Sequence, residues 1–256
     1  MILRHIVSLT FNYNKNMKIA LIGYGKMGKK IEKAALAHKH EVVLKLDVSN
    51  MAEFTPDNLK KADVAIEFSS PESAIGNILK CFEANVPVVC GTTGWLARYD
   101  EIKKLCIEKK QAFFYASNYS IGVNLFFRLN EQLAKMMANY AEYMPSMEEI
   151  HHIHKKDSPS GTGITLAEGI IKNHGALKKW ALKEKAIQGD LFISSIREGE
   201  VPGTHTIRYT SACDEIEITH KAFNRRGFAE GAVMAAAWIA GKQGIFGMND
   251  LLNSEK

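Results

Sequence analysis

Three histidines and two lysines lie close together between His151 and Lys156. They are followed by a turn rich in hydroxyl groups and glycine, which ends at Gly163. Histidine and lysine fill buried apolar space poorly, so a structural core does not need this composition. Imidazole and ammonium groups can hold an anion and move a proton near neutral pH. The segment therefore predicts a pocket in which an anionic substrate undergoes acid–base chemistry.

A second group of residues with chemical potential is a glycine run near the start of the chain. Lys18–Ile22 has the composition of a short buried strand, and the run Gly23-Tyr24-Gly25-Lys26-Met27-Gly28 opens a helical pattern. Asp47 ends the next β-rich segment, about 20 positions after the run. Gly-x-Gly-x-x-Gly is common by chance, but the strand, the helix and the acidic residue together predict a dinucleotide site. The alternative is a glycine-rich turn that binds no ligand.

Each glycine of this run has its own physical role. Gly23 allows a tight turn, Gly25 lets the backbone approach a pyrophosphate, and Gly28 lets the helix pack close to the strand. The exposed amides and the positive end of the helix then receive the phosphates.

Asp47 bears on the choice of cofactor. Its carboxylate can accept hydrogen bonds from the hydroxyls of an adenosine ribose, whereas a 2′-phosphate would meet like charge. The next residue, Val48, supplies no cation, and Lys45 on the same side of the strand offers only partial help. We therefore expect NADH to be preferred, with NADPH also accepted.

Three further predicted strands end in small polar residues. These ends are Phe68-Ser69-Ser70, Gly91-Thr92-Thr93-Gly94 and Ser117-Asn118-Tyr119-Ser120. Ligands bind beyond the carboxyl ends of the strands in open parallel sheets, so we expect these residues to line the nicotinamide end of the dinucleotide. Each one could alternatively be no more than a helix cap.

The alternation of strands and helices stops after Gly122. Residues 124–143 read as one amphipathic helix, whose stripe of Leu125, Leu129, Leu133 and Met136 or Met137 we expect in a core or domain junction. A strand over 147–153 leads into the histidine segment, and Gly161-Thr162-Gly163 opens a helix. Short alternating runs at 192–197, 203–210 and 214–219 predict an antiparallel sheet, and 227–241 predicts an alanine-rich helix.

The predicted fold is α/β, with an N-terminal Rossmann-type doubly wound parallel sheet and a C-terminal α+β domain for substrate binding and oligomerisation. Residues 17–120, completed by 225–256, form the dinucleotide-binding domain, and 121–224 form the second domain. Residues 1–16 are predicted to be an extra N-terminal tail, either disordered or the product of a start codon assigned too far upstream.

Composition excludes several classes of protein. The chain has 256 residues, 46% of them hydrophobic and 24% charged, with a formal net charge of +5. Dense stripes of Lys and Arg are missing, which argues against nucleic-acid binding. Apolar runs of the roughly 20 residues that cross a bilayer are also missing. The four cysteines, at positions 81, 90, 106 and 213, lack Cys-x-x-Cys spacing and are expected to be buried free thiols in the cytoplasm.

These motifs together closely resemble the dihydrodipicolinate reductase family, which acts in the diaminopimelate route to lysine. The resemblance covers residues 17–241 and lies in the glycine run, Gly91-Thr92-Thr93-Gly94, Ser117-Asn118-Tyr119-Ser120, Glu149-Ile150-His151-His152-Ile153-His154-Lys155-Lys156-Asp157-Ser158-Pro159-Ser160-Gly161-Thr162, Arg197-Glu198-Gly199 and Gly203-Thr204-His205. The chain departs from the family in its extra tail and in Val48, where members that favour NADPH carry Arg.

The resemblance implies reduction of a cyclic imine dicarboxylate by NAD(P)H, with loss of its 4-hydroxyl group as water, and no metal. His151 matches the family's proton donor and acceptor, and Lys155 its proton donor. The substrate-binding positions match His152, Ser160, Gly161 and Thr162. The resemblance further implies a homotetramer joined through sheets of the second domain.

Three other functions compete with this interpretation. His151, His152 and His154 could be zinc ligands of a hydrolase, although neighbouring lysines raise the cost of binding a metal. A regulatory protein could retain the fold without catalysis, and a related dehydrogenase could act on another amino or imino acid. Arg225 is a further candidate for substrate binding, and a solvated surface position explains it equally well.

Overall fold

The computed structural model describes residues 16–253. The predicted N-terminal tail lies outside the described residues, except for its last position. The chain forms two compact units, the first running to Tyr119 and resuming at Ala229, and the second comprising Ser120–Phe228.

The described residues contain eleven strands and eight α-helices. The strands are β1 (Lys18–Ile22), β2 (Glu41–Leu46), β3 (Val64–Glu67), β4 (Val88–Cys90), β5 (Ala112–Tyr115), β6 (Met144–His151), β7 (Lys179–Leu182), β8 (Asp190–Arg197), β9 (Thr204–Thr210), β10 (Glu215–Lys221) and β11 (Gly244–Phe246). The helices are α1 (Lys26–Ala37), α2 (Pro56–Leu59), α3 (Pro71–Glu83), α4 (Tyr99–Glu108), α5 (Ile121–Met137), α6 (Gly161–Asn173), α7 (Arg226–Ile239) and α8 (Met248–Asn253).

The first unit contains a six-stranded parallel sheet in the order β11-β5-β4-β3-β1-β2. All residues of β3 and β4 are buried, as expected for strands covered by helices on both faces. Ile78 and Phe82 of α3 pack with Phe113 of β5 in the core. Burying each such side chain contributes about 1.5–3 kcal/mol to the free energy of folding, so the packing of the helix stabilises the sheet.

The second unit contains a mixed five-stranded sheet in the order β10-β9-β6-β8-β7. This arrangement confirms the predicted fold class but corrects the predicted antiparallel sheet. The pairs β6–β9 and β9–β10 are antiparallel, whereas β6–β8 and β7–β8 are parallel. For the β6–β8 pair, the reason is that α6 lies in the chain between the two strands, and such a crossover connection returns the chain in the parallel direction.

Helix α5 buries only part of the predicted stripe. Met137 is buried and Leu133 packs against the core, as predicted, but Leu125, Leu129 and Met136 are exposed. Phe126 and Ala134, which lie outside the stripe, are buried instead. The helix begins at Ile121 because the Ser120 side chain caps it by accepting a hydrogen bond from the amide of Val123. Both faces carry apolar residues at helical spacing, so the sequence pattern does not identify the one that packs in the core of this unit.

Two features near the C-terminal part of the chain were not predicted. Strand β11 extends the parallel sheet beyond β5, and α8 follows it. Three residues are too few to show a periodic pattern, which explains why the sequence analysis missed this strand. The cysteine prediction is corrected at one position, because Cys213 is exposed while the other three thiols are buried. No helix in the described part of the chain combines the length and the apolar character needed to cross a membrane.

Candidate active site

The parallel sheet of the first unit places the predicted cofactor residues along one edge. Strands β1, β3, β4 and β5 are successive neighbours, with β2 on the other side of β1. Because all of them run in the same direction, the residues that follow each strand meet at the carboxyl edge, where open α/β sheets bind ligands.

The glycine run forms a tight connection between β1 and α1. Gly23 has a φ of 95°, and a Cβ there would lie 2.0 Å from the carbonyl oxygen of Phe68. A Cβ on Gly28 would lie 2.4 Å from the carbonyl oxygen of Gly23. A Cβ on Gly25 would meet no atom within 4 Å. Gly25 is also the N-cap of α1 and provides no side-chain cap, so the helix start is open to a phosphate group.

Tyr24, the residue after the first glycine, belongs to a small polar cluster. Its hydroxyl donates a hydrogen bond to Glu32, which also accepts one from the Lys45 ammonium at 3.2 Å. The bond from Tyr24 lowers the pKa of Glu32, and the contact with Glu32 raises the pKa of Lys45. Lys26 and Met27 are the first two residues of α1.

Asp47 follows β2 directly, at the predicted position. Its Oδ1 accepts hydrogen bonds from the amide and the hydroxyl of Ser49, at 2.7 Å and 2.6 Å. The hydrogen bonds from Ser49 lower the pKa of the Asp47 carboxyl. The carboxylate is therefore ionised and oriented by Ser49. The preceding residue, Leu46, lies beside the glycine run, because its carbonyl oxygen accepts hydrogen bonds from the amides of Gly23 and Tyr24. Val48 is fully exposed.

The residues that follow β3 and β4 pack closely on one another. A Cβ on Gly91 would lie 2.1 Å from the ring of Phe68, so this glycine makes room for the aromatic side chain. Thr92 is buried and accepts a hydrogen bond from the amide of Ser69 at 2.8 Å, while Thr93 is exposed.

The segment after β5 divides between exposed and buried positions. Ser117 is exposed, whereas Asn118 and Tyr119 are buried. The Tyr119 hydroxyl donates to the carbonyl oxygen of Cys90 at 2.7 Å, and its ring centroid lies 5.6 Å from that of Phe68. Ser120 begins the second unit and caps α5.

In the second unit, β6 carries Glu149 and His151 on its buried face. Side chains alternate along this strand, so Pro145, Met147, Glu149 and His151 are buried while the residues between them are more exposed. The apolar members belong in a core, but Glu149 is a carboxylate with no exposed surface. A buried charge is tolerated only where hydrogen bonds or opposite charges compensate the lost hydration.

Glu149 has such partners on three elements. Its oxygens accept hydrogen bonds from the amide and hydroxyl of Ser160, from the Ser195 hydroxyl at 2.6 Å and from Arg197 at 3.5 Å. The Nε2 atom of His205 lies 3.6 Å from Oε2. Burial opposes ionisation, but the hydrogen bonds from His205, Ser160 and Ser195 together hold the pKa of Glu149 well below its usual range. The carboxylate therefore links the start of α6 to β8 and β9.

His151 lies at the end of β6, close to Glu149 and His205. Its Nδ1 is 4.0 Å from Glu149, and its ring centroid is 5.0 Å from that of His205. Burial lowers the pKa of His151 to about 4, an effect that outweighs the opposing influence of Glu149. Gly203 makes room for this imidazole, because a Cβ there would lie 3.1 Å from its Nε2. His151 is thus neutral near pH 7.

The remaining predicted residues lie in the turn after β6, where each contacts a different partner. Lys155 is half-buried, and its ammonium lies 2.8 Å from each carboxylate oxygen of Asp157. His152 accepts a hydrogen bond from Arg225 at 3.0 Å, so this guanidinium has a partner in the predicted site. His154 is exposed and lies 3.4 Å from Glu200, outside the group formed by Glu149, His151 and His205.

The start of α6 is the third part of the site. The Ser160 hydroxyl is buried, donates to Glu149 and accepts a hydrogen bond from the amide of Gly163 at 3.0 Å. It is therefore committed to capping the helix. Gly161 and Thr162 form the first turn, and a Cβ on Gly161 would meet no atom within 4 Å. Helix starts of this kind favour carboxylate binding.

One group of the described residues could hold a metal ion, because its possible ligand atoms all lie within 4.8 Å of one another. The group consists of Glu149, His151 and His205. This group differs from the three histidines of the zinc alternative. Glu149 already accepts several hydrogen bonds, and the Arg197 cation lies beside it. A metal would have to displace these donors and meet a like charge, so the chemistry of the set suits hydrogen bonding better.

Sequence reasoning assigned no role to Glu149, Ser195, Arg197 or His205. One signal for Glu149 was present, because it occupies the core-facing phase of an alternating strand. The other three reach the site through strand pairing, in which Glu149 is opposite Ser195 on β8 and His205 on β9. That register is not visible in the sequence.

Comparison with known proteins decides the family. Residues 17–119 match the family description "Dihydrodipicolinate reductase, N-terminus", and residues 122–252 match "Dihydrodipicolinate reductase, C-terminus". A 4-hydroxy-tetrahydrodipicolinate reductase from Christiangramia forsetii is 49% identical over 237 residues, covering 93% of this chain and 98% of that protein. The chain belongs to the dihydrodipicolinate reductase family. The predicted enzyme class and function, an NAD(P)H-dependent reductase of lysine and diaminopimelate biosynthesis, are thereby confirmed.

Solved structures agree on the fold. A dipicolinate-bound dihydrodipicolinate reductase from Paenisporosarcina sp. TG-14 superposes with a TM-score of 0.74 at 20% identity, covering 92% of this chain and 99% of that one. A probable dehydrogenase from Thermotoga maritima reaches a TM-score of 0.54 at 12% identity, covering 91% and 92% of the two chains. At these identities the similarity concerns the fold alone.

Proposed function

We propose that this member of the family reduces 4-hydroxy-tetrahydrodipicolinate to tetrahydrodipicolinate, preferring NADH and also accepting NADPH. The observation that carries the proposal is the position of the buried Glu149. It accepts a hydrogen bond from Ser160 at the start of α6 and lies 4.0 Å from His151, and the helix start has open space at Gly161. Such an arrangement suits a small dicarboxylate that must receive a proton. The Paenisporosarcina relative was solved with dipicolinate, a ring dicarboxylate, which agrees with this choice of substrate.

The two units would divide the work. In the first, the open start of α1 at Gly25 would bind the pyrophosphate, and Asp47 would bind the adenosine ribose. When bound, the nicotinamide supplies a hydride to a ring carbon conjugated with the C=N bond of the substrate. In the second unit, an ammonium, an imidazole N–H and backbone amides would bind the two carboxylates. These groups are Lys155, His152 and the first-turn amides of Gly161 and Thr162.

Proton delivery would be shared between Lys155 and His151. Hydride addition and loss of the 4-hydroxyl group as water consume one proton, which balances the oxidation of NAD(P)H to NAD(P)⁺. The Lys155 ammonium carries a proton and is already oriented by Asp157. His151 is neutral near pH 7 because burial lowers its pKa to about 4. A nearby dianion favours the imidazolium, which would let His151 take up and donate a proton.

The proposed assembly is a homotetramer joined through sheets of the second unit. Phe192 and Ile196 of β8 are exposed on this chain, and sheet faces with such residues are often covered in oligomers. Light scattering during size-exclusion chromatography would test the mass expected for four chains.

The function is tested by following NADH oxidation when the product of a dihydrodipicolinate synthase reaction is added. We expect the purified protein to oxidise NADH. Lys155→Ala should lower turnover about 100- to 10,000-fold, as loss of a general acid does, while NADH binding is retained. Lys156→Ala, which removes an exposed neighbouring ammonium, is the matched control and should remain active. Absence of NADH oxidation by the unmodified protein would refute the function, and near-normal turnover of Lys155→Ala would refute the assigned role.

A further inference from the structure

Glu32 of α1 contacts two side chains beside the predicted cofactor site. One of its oxygens accepts a hydrogen bond from the Tyr24 hydroxyl, and the other lies 3.2 Å from the ammonium of Lys45. The same ammonium lies 5.3 Å from the centroid of the Tyr24 ring. The three side chains therefore form one connected group, which holds the Lys45 cation close to α1.

Lys45 lies where a cation could affect the choice of cofactor. It lies on β2, two residues before Asp47, which directly follows the strand. Side chains two apart in an extended chain point to the same side, so Lys45 and Asp47 are expected to share one side. In doubly wound folds the acidic residue at the end of this strand faces the ribose hydroxyls, and a 2′-phosphate on that ribose needs a cation close by. Lys45 could serve as that cation, but Glu32 already compensates its charge.

The two cofactors differ in what they meet at this place. The 2′-phosphate of NADPH carries a charge of roughly −1.5 to −2, whereas the 2′-hydroxyl of NADH is uncharged. With Glu32 in place, the phosphate meets the Asp47 carboxylate and a lysine paired with a second carboxylate. NADH pays no such penalty.

We propose that Glu32 is a specificity-determining residue, which favours NADH by holding the Lys45 ammonium away from a 2′-phosphate. The inference rests on the proposed binding of the adenosine ribose beside Asp47. It goes further, because it assigns part of the selectivity to a residue of α1 that lies outside the glycine run and the end of β2.

The test compares dissociation constants for NADPH and NADH, measured by cofactor fluorescence on the purified protein. Glu32→Gln keeps the size of the side chain and can still accept the hydrogen bond from Tyr24. We expect it to bind NADPH roughly two- to fivefold more tightly, the range of an exposed charge contact, with NADH affinity unchanged within twofold. The gain should shrink as salt is added, because exposed charges are screened.

Two further variants make the result specific. Glu32→Gln combined with Lys45→Met should lose the gain, because the released cation is no longer there. Glu41→Gln removes the same charge from the exposed start of β2 and should leave the ratio of the two constants unchanged. Thermal unfolding of each variant verifies that it is folded.

Three results would overturn the inference: an unchanged ratio in Glu32→Gln, a gain that survives in the double variant, or an equal gain in Glu41→Gln. Failure of the proposed function is recognised separately, because it would appear as an unmodified protein that binds cofactor but does not oxidise NADH with the ring substrate.

Discussion

Gly163 and Gly161 offer a matched pair of substitutions that tests the role of the buried carboxylate. Both glycines lie in the first turn of α6. A Cβ on Gly163 would lie 2.6 Å from Oε2 of Glu149, closer than real Cβ contacts, whereas a Cβ on Gly161 would meet no atom within 4 Å. The main difference between alanine at the two positions is therefore whether Glu149 must move, since the other contact of the Gly163 Cβ, with the Ser160 hydroxyl at 3.4 Å, is an ordinary one.

The expected cost at Gly163 follows from what restrains Glu149. The carboxylate accepts bonds from the Ser160 amide at 2.9 Å and 3.0 Å and from the Ser195 hydroxyl at 2.6 Å. A hydrogen bond to a charged group contributes about 1.5–3 kcal/mol, so weakening one of them outweighs the roughly 0.5–1 kcal/mol that alanine gains over glycine in a helix. We expect Gly163→Ala to lower the free energy of unfolding by about 1–2 kcal/mol.

The control should change stability in the opposite direction. Gly161→Ala removes backbone freedom from the unfolded chain without a clash and should raise the free energy of unfolding by about 0.5–1 kcal/mol. The two variants should thus differ by roughly 1.5–3 kcal/mol, or about 3–12 °C in Tm for a chain of this size. Urea and thermal unfolding followed by circular dichroism measure both quantities. A Gly163→Ala protein as stable as Gly161→Ala would refute the reasoning that Glu149 is rigidly held.

Two other expectations concern the cofactor and the buried imidazole. Asp47→Ala should weaken binding of NADH more than that of NADPH, because it removes a ribose acceptor from one and a repulsion from the other; equal losses in a fluorescence titration would contradict the ribose argument. Burial lowers the pKa of His151 from its ordinary 6.5 to about 4 in the folded protein. Below pH 6.5 the unfolded chain takes up a proton on this imidazole that the folded protein excludes, so stability present above pH 6.5 is lost as the pH falls towards 4. The free energy of unfolding should therefore drop less between pH 7 and pH 5 in His151→Asn than in the unmodified protein. Identical pH dependence in urea titrations would show that His151 is not buried as described.

Much of the carboxyl edge of the parallel sheet could be predicted, because the sequence features that indicate it lie close together in the chain. The strand before Gly23, the helix after it and Asp47 at the end of the next strand lie in one short βαβ segment. The strands are short buried runs that end in glycine or polar residues, and a parallel sheet necessarily brings such ends to the same edge. The identity of the family was also accessible, since it follows from a contiguous signature around His151.

The second unit was predicted less well because its organisation depends on contacts between distant segments. An apolar pattern at helical spacing is present on two faces of α5, and only packing in the core determines that Phe126 is buried while Leu125 is exposed. The alternating runs indicated strands, but their direction depends on which strand each one pairs with, and two of the pairs are parallel.

The same distinction holds within the site itself. The sequence alone singled out His151, Lys155 and the start of α6 as candidates, because these residues follow one another along the chain. Only the tertiary structure revealed that Glu149 lies opposite His205 and Ser195 and that Arg197 lies beside it. A buried carboxylate is stable only when such partners surround it, and the partners come from strands that are distant in sequence. Strand register, which side-chain packing sets over the whole sheet, decided their arrangement.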